Sequence, residues 1–288
     1  MLVLLGAAAG ALLSSSRHRS LHPGLSAAPG PRAASATPAR APATASPTTG
    51  PRGRRPAAPQ ASAPSPAPDA SGRVRVPVTD LVPVRLPAAG VPDGWALTEF
   101  AGSDASIELV QSDGRVALRL RSEHNSFAVH RDIVLDVRRY PILSWIWKVS
   151  RLPAGGDVRD PGRDDQAAQV YVVFPRWPSP RTTSDVIGYV WDAGAPVGTT
   201  LTSPSAPNVR IIVVESGPDG LEQWLQQHRN VAEDYRALFG RQPPRAGKLA
   251  LMIDSNDTRS EAEAMFGELT FSRPNASSHT EIPTLMLR

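Results

Sequence analysis

Leu143-Ser144-Trp145-Ile146-Trp147-Lys148-Val149-Ser150 is the stretch from which the fold can be read. Successive side chains of a strand point to opposite faces. Leu143, Trp145, Trp147 and Val149 therefore share one face, and Ser144, Ile146, Lys148 and Ser150 the other. Arg115 to Arg121 alternates in the same way, with Val116, Leu118 and Leu120 set against Arg115, Ala117, Arg119 and Arg121. Gln169-Val170-Tyr171-Val172-Val173-Phe174, stopped by Pro175, is an unbroken run of the kind found in fully buried strands. Val186–Trp191, Val209–Val214, Leu249–Ile253 and Glu268–Phe271 complete the set. Short β-rich runs separated by Pro, Gly, Asp and Ser predict a mainly β fold, an antiparallel sandwich or barrel. Parallel βαβ units would need helical periodicity between the strands, and the chain has too little of it.

One helix is expected, ending at Phe239. Val231, Tyr235, Leu238 and Phe239 fall on one stripe at helical spacing. Asn230 is placed to cap its start, Gly240 its end, and Pro243-Pro244 prevent continuation. Residues Leu221 to Arg229 fit a helical period too, but strand or irregular structure is the preferred reading there.

Composition divides the chain at about residue 72. The first 72 residues hold 12 of the 30 prolines, none of the aromatics, seven Arg and one acid, a formal +6. The remainder has 31 − 7 = 24 bases and 27 − 1 = 26 acids, a formal −2. The high isoelectric point thus belongs to the leading arm, and no basic patch for a nucleic-acid partner is expected on the domain. Residues 20–72, rich in Pro, Ala, Ser, Thr and Arg, cannot bury enough apolar surface to offset chain entropy and read as a disordered linker. Ahead of them, Leu2 to Leu13 is too short to span a bilayer and reads as the apolar core of a secretion signal, within a segment 1–19. No cysteine is present, so disulfides, thiolate metal sites and lipoprotein acylation are excluded. These features predict an exported, periplasmic or envelope protein whose only membrane contact is the N-terminal segment. The domain itself is expected over 73–275, with a tail at 276–288.

Five further segments carry a resemblance. They are Tyr140-Pro-Ile-Leu-Ser-Trp145-Ile-Trp147-Lys-Val, Arg163-Asp164-Asp165-Gln-Ala-Ala-Gln-Val-Tyr171-Val-Val-Phe174, Gly188-Tyr189-Val190-Trp191, Arg229-Asn230-Val231-Ala-Glu-Asp234-Tyr235 and the acidic loop at Asp254. With these, the chain from about Gly94 to Phe271 resembles the bacterial domain-of-unknown-function family 3047. Two positions depart from its usual pattern. The loop reads Asp254-Ser255-Asn256-Asp257-Thr258 where Asp-Thr-Asp-Asn-Thr is usual, and Met265-Phe266 stands where an aromatic pair precedes Gly267. The resemblance implies a jelly-roll-like sandwich similar to carbohydrate-binding modules and brings no catalytic residues with it.

Two constellations carry chemistry. Asp164 and Asp165 precede one core strand, and Asp254 and Asp257 follow another. Carboxylates at strand ends can meet and bind Ca²⁺, with Asp164 and Asp254 as ligands. They can instead act as an acid/base pair on a glycosidic bond, or cap turns by accepting backbone N–H bonds. Trp145, Trp147, Tyr171, Tyr189 and Trp191 form the second constellation. The first two share a face with Leu143 and Val149 and are expected in the core, whereas Tyr189 and Trp191 are expected on a sugar-stacking platform. The histidines match no metal or triad spacing. The expected function is non-catalytic binding of a polysaccharide or other polar ligand through Asp165, Tyr189, Trp191, Arg229, Asp254 and Asp257. A polysaccharide hydrolase or lyase with paired carboxylates is the alternative.

Overall fold

The strands form where the apolar alternation lies, and turns form at the polar breaks between them. A computed structural model describes residues 67–274 other than 83, 177–182 and 205. The signal-like segment, the linker up to residue 66 and the tail at 276–288 lie outside the described residues. In chain order the strands are β1 Val74–Val76, β2 Ala88–Ala89, β3 Ala96–Ala101, β4 Ser106–Ser112 and β5 Arg115–Glu123. Next come β6 Ser126–Leu135, β7 Ile142–Arg151, β8 Ala168–Phe174, β9 Asp185–Asp192 and β10 Thr200–Thr202. β11 Val209–Ser216 and β12 Leu225–Asn230 lead into helix α1 Val231–Phe239, followed by β13 Ala246–Asp254, β14 Glu261–Phe266 and β15 Leu269–Ser272.

They make two sheets packed as a sandwich with jelly-roll-like crossovers. In the first, β12 lies on one edge of β7, and β14 and β15 follow one another along its other edge. β5, β4 and β2 continue outward from β14, and β1 from β15. The second runs β10-β11-β9-β8-β13-β6-β3. Every pair in it is antiparallel except β9–β11, which is parallel. Residues 193–208 supply the long crossover that a parallel connection requires.

The interior is the apolar faces of the two sheets. Trp145 and Trp147 of β7 point inward, as their shared face with Leu143 and Val149 predicts. Across the gap they meet Tyr189 and Trp191 of β9, with centroids 5.4 Å and 6.1 Å apart. The second sheet is covered on its outer face as well. Tyr171, Val173, Val190, Ala250 and Met252 form a second cluster there with Val158, Ala195 and Ala206 from the loops. That is why β8 and β9 are buried at every position, and why β8 reads as a continuous apolar run. Gly188 makes room on this face: a Cβ there would stand 2.5 Å from the Tyr171 ring. In β5 the alternation slips, leaving Val116 exposed and burying Ala117 beside Leu118.

Helix α1 begins and ends where expected. Asn230 accepts from the Glu233 N–H, and Gly240 takes the left-handed conformation with its N–H on the Arg236 carbonyl. Residues 225–230 are a strand, paired antiparallel with the edge of β7.

Trp147 is fully buried between the sheets. Trp147→Ala is expected to cost about 3–5 kcal/mol, read as a lower urea midpoint with an unchanged slope.

Candidate functional site

At one end of the second sheet, β13 delivers Asp254 and β8 begins just after Asp164 and Asp165. The loop 254–260 is fastened to the chain before β8 by Asp165. Its carboxylate accepts the Asp257 N–H (3.1 Å), the Thr258 N–H (2.7 Å) and the Thr258 hydroxyl. Asp165 is fully buried, and Asp254 nearly so. Burial and the adjacent Asp165 push the Asp254 carboxyl well above the usual carboxylate range. Burial and a neighbouring carboxylate both disfavour the charged form of Asp254.

Asp164 lies beside them. Its Oδ1 accepts from the Gln166 amide at 3.0 Å, while its Oδ2 is buried without a hydrogen-bond partner. Burial raises this carboxyl to about 7, with Asp257, Asp165 and Asp192 adding to the rise. Asp257 is partly exposed and is raised by burial and by Asp165. Asp192 accepts N–H bonds from Val158, Gly194 and Ala195, which pins the loop before β8 to the end of β9. A chain of polar groups leads from Asp164 onto the outer face of the second sheet. The Gln169 amide donates to the Gln166 carbonyl, and the Tyr171 hydroxyl to the Gln169 side chain at 2.6 Å.

A cleft of about 380 Å³ lies over β5, β14 and the end of β7, next to this loop. Four acids (Asp104, Glu123, Glu261, Glu263) and two arginines (Arg121, Arg151) line it, with Ser106, Ser122 and Ala262 between them. Cross-strand pairing sets Glu263 between Arg121 of β5 and Arg151 of β7. Arg121 bonds Glu263 at 2.7 Å, and Arg151 pairs with Glu261. The Ser122 hydroxyl in the cleft is 2.6 Å from the Ser255 hydroxyl, and Ser260 lies between the Thr258 hydroxyl and the Ala154 N–H. Through Ser122 the cleft touches the loop that Asp165 holds.

The structure divides the sequence-predicted site residues into two groups. Asp164, Asp165, Asp254 and Asp257 come together. Arg229 and Tyr189 gather elsewhere, around Asp234 in the first turn of α1. The Tyr189 hydroxyl donates to Asp234 at 2.8 Å, and Arg229 Nε to the same carboxylate at 3.0 Å. Tyr189 and Trp191 are fully buried, which corrects the expectation of a stacking platform. Their face of β9 is the interior, and the flanking Gly188 serves the opposite face. Glu215 accepts from Gln227 and is not part of the acid group. Asp157 and Asp160 cap turns and pair with Arg159 and Arg163.

A Ca²⁺ site on Asp164 and Asp254 finds no support in the geometry. Among the described residues no group of three or more acidic or histidine side chains is arranged to hold a metal ion. The oxygens of Asp165 are taken by N–H and O–H donors. Sequence reasoning missed Asp192 and the cleft. Glu261 and Glu263 alternate with Ala262 and Ala264 and could be read as outward-facing; their meeting with Arg121 and Arg151 depends on strand order. It also missed Lys248, which is buried with its Nζ 2.8 Å from Asp132 and 3.0 Å from His130 Nδ1. Burial and this lysine hold the His130 imidazole down at about 4. A lysine within an apolar strand was the available signal.

The family described as "Protein of unknown function (DUF3047)" matches residues 93–270. No curated protein matches the sequence. Among solved structures, the chain is similar to the family 11 carbohydrate-binding module of cellulosomal cellulase Lic26A-Cel5E of Clostridium thermocellum. Identity is 8% over 69% of this chain and 95% of that one, with a TM-score of 0.38. The family 30 module of the same organism's cellulase Cel9D-Cel44B aligns at 10% identity over 70% and 98%, TM-score 0.37. The xyloglucanase domain of NopAA from Sinorhizobium fredii gives 10% over 65% and 95%, TM-score 0.36. At these scores the likeness is one of general β-rich architecture, and the sandwich rests on the strand pairing itself. Among the described residues no helix is long and apolar enough to cross a membrane.

Asp164 has a pH signature. Its carboxyl is raised from 3.8 to about 7 in the folded chain. The unfolded chain therefore ionises first as pH rises, and stability falls between these two values. Asp164→Asn is expected to flatten that fall and raise the thermal midpoint at neutral pH, as measured by calorimetry across the pH range.

Proposed function

The chain belongs to the DUF3047 family, and we propose that it is a non-catalytic module that binds a glycan-like polar ligand in the bacterial cell envelope. The cleft at the Asp254 end of the sandwich carries this reading. Sugar hydroxyls both donate and accept hydrogen bonds. A lining in which guanidinium groups alternate with carboxylates across adjacent strands offers both partners at strand spacing. The loop 254–260 beneath it is held from inside by Asp165 and Ser122, so the cleft is preorganised rather than formed on binding. Binding residues are then Arg121, Arg151 and Glu263, with Asp165 holding the neighbouring loop through Thr258 and the Asp257 N–H. The signal-like Leu2–Leu13 segment and the Pro/Ala-rich arm after it support export, with the domain tethered clear of the membrane.

A hydrolase is the second reading, favoured by Asp164, whose carboxyl near 7 beside Asp257 is suited to a general acid. Against it, Asp165 and Asp254 adjoin and are buried, whereas glycosidases hold two carboxyls roughly 5–10 Å apart across the scissile bond.

Affinity electrophoresis against a panel of envelope polysaccharides tests the binding reading. Retention on at least one polymer is expected. Arg151→Ala should weaken it about tenfold, in keeping with the loss of a charge-assisted hydrogen bond. Retention on none would sink the proposal. Release of new reducing ends, abolished by Asp164→Asn, would establish the hydrolase instead.

A further inference from the structure

We infer that the glycan is a linear chain of neutral pyranose rings, and that Trp224 stacks against one ring while another occupies the cleft. This rests on the glycan-binding reading above. The first observation is the indole itself. The other described tryptophans are buried, and Trp224 is half-buried. Its orientation is fixed from two sides. The ring Nε1 donates to Asp113, in the turn between β4 and β5, at 2.9 Å. Lys148 of β7 stands between Asp113 at 3.7 Å and Glu222 at 3.3 Å. The Arg115 guanidinium lies 6.0 Å from the ring centroid. Glu222, in the turn that carries Trp224, takes the left-handed backbone at φ 60°. An aromatic side chain held in this way loses little further freedom when a ligand covers it.

The second observation is where the indole sits. Leu225 pairs with Trp147, so Trp224 stands beside Lys148 on the outer face of the first sheet. From Lys148 a cross-strand row runs through Met265 and Arg119 to Glu108. Two positions along the same strands lies the row Glu263, Arg121 and Ser106, which lines the cleft. Each of these side chains is half-buried or exposed. Indole and cleft therefore share one solvent-facing surface. Two residues along a strand and two strands across separate Glu263 from Trp224 by about 12 Å. One sugar ring cannot touch both, and a short chain of rings can.

The charges around the indole choose the class of ring. Lys148 and Arg115 are matched there by Asp113 and Glu222, so the surroundings favour neither sign. A pyranose with equatorial hydroxyls presents C–H bonds on its two faces, and their weakly positive hydrogens suit the negative face of an aromatic ring. Two other occupants fit less well. A quaternary ammonium would compete with Arg115, already set against this ring. Single-stranded nucleic acid would stack too, but its phosphates would meet Asp104, Glu123 and Glu261 in the cleft.

Calorimetric titration of the full chain with β-1,4-linked glucose oligomers, a dimer and a hexamer, tests this. The hexamer is expected to bind about tenfold more tightly than the dimer, in keeping with one added aromatic contact. It should also shield tryptophan fluorescence from acrylamide. Trp224→Ala should bring the hexamer down to the affinity of the dimer and abolish the shielding. Trp224→Phe, which keeps an aromatic face and loses the N–H bond to Asp113, should retain most of the gain. Thermal midpoints report whether each variant folds, and the shielding of the unmutated chain decides the matter if Trp224→Ala does not.

Equal binding of dimer and hexamer overturns the inference and leaves the glycan reading standing. Binding of neither overturns it too, and the polysaccharide panel then decides the broader reading separately. A Trp224→Ala chain that melts earlier yet keeps the advantage of the hexamer would make the indole a clasp between two turns and nothing more. Oligothymidylate binding as tightly as the hexamer would assign the indole to nucleic acid instead.

Discussion

Two aromatic pairs between β7 and β9 hold the sandwich closed, and the rest of the structure depends on them. Trp145 meets Tyr189 and Trp147 meets Trp191 across the two layers, while Trp145 and Trp147 stand edge to face at 84°. Such rings bury large areas and favour tilted or edge contacts over parallel stacking. Placing indoles here has a cost, because the ring N–H groups of Trp145 and Trp147 are buried without partners. Trp191 avoids it by donating to the Gly217 carbonyl at 3.0 Å. Once β7 and β9 are fixed face to face, β13 and β14, their near neighbours in the two sheets, deliver the loop 254–260 to one end.

That end of the molecule is maintained against electrostatic cost. Isolated buried carboxylates are expensive, and here Asp164, Asp165, Asp192 and Asp254 gather within one group. Asp165 and Asp192 are compensated by N–H donors from loops distant in sequence. Burial disfavours the charged form of both Asp254 and Asp164. Capping and function are therefore not alternatives at this loop. Two carboxyls do structural work, and in doing so they hold a third, with its unpartnered oxygen, in place.

Much of the fold was legible. The 143–150 alternation placed Trp145 and Trp147 inside, and Asn230 and Gly240 marked both ends of the helix. The gathering of Asp164, Asp165, Asp254 and Asp257 was legible too, because acids at the ends of core strands have few places to go. Tyr189 and Trp191 were misjudged for a physical reason. β9 is buried on both faces, so its residues show no polar/apolar alternation, and a glycine and an aspartate nearby were no guide to direction. The cleft was not legible: Arg121, Arg151 and Glu263 lie on three strands whose adjacency no local pattern encodes.

The amino-acid sequence determined what is local. Side-chain alternation with a period of two set the strands, and capping residues bounded the helix. Only the tertiary structure decided which face of a doubly buried strand looks inward and which charged residues of distant strands become neighbours. It also decided that one carboxylate is satisfied by a loop ninety-odd positions away while the adjacent one keeps an oxygen without a partner. Those outcomes depend on sheet order and on closure around the β7–β9 aromatic contacts, and these exist only once the whole chain has folded.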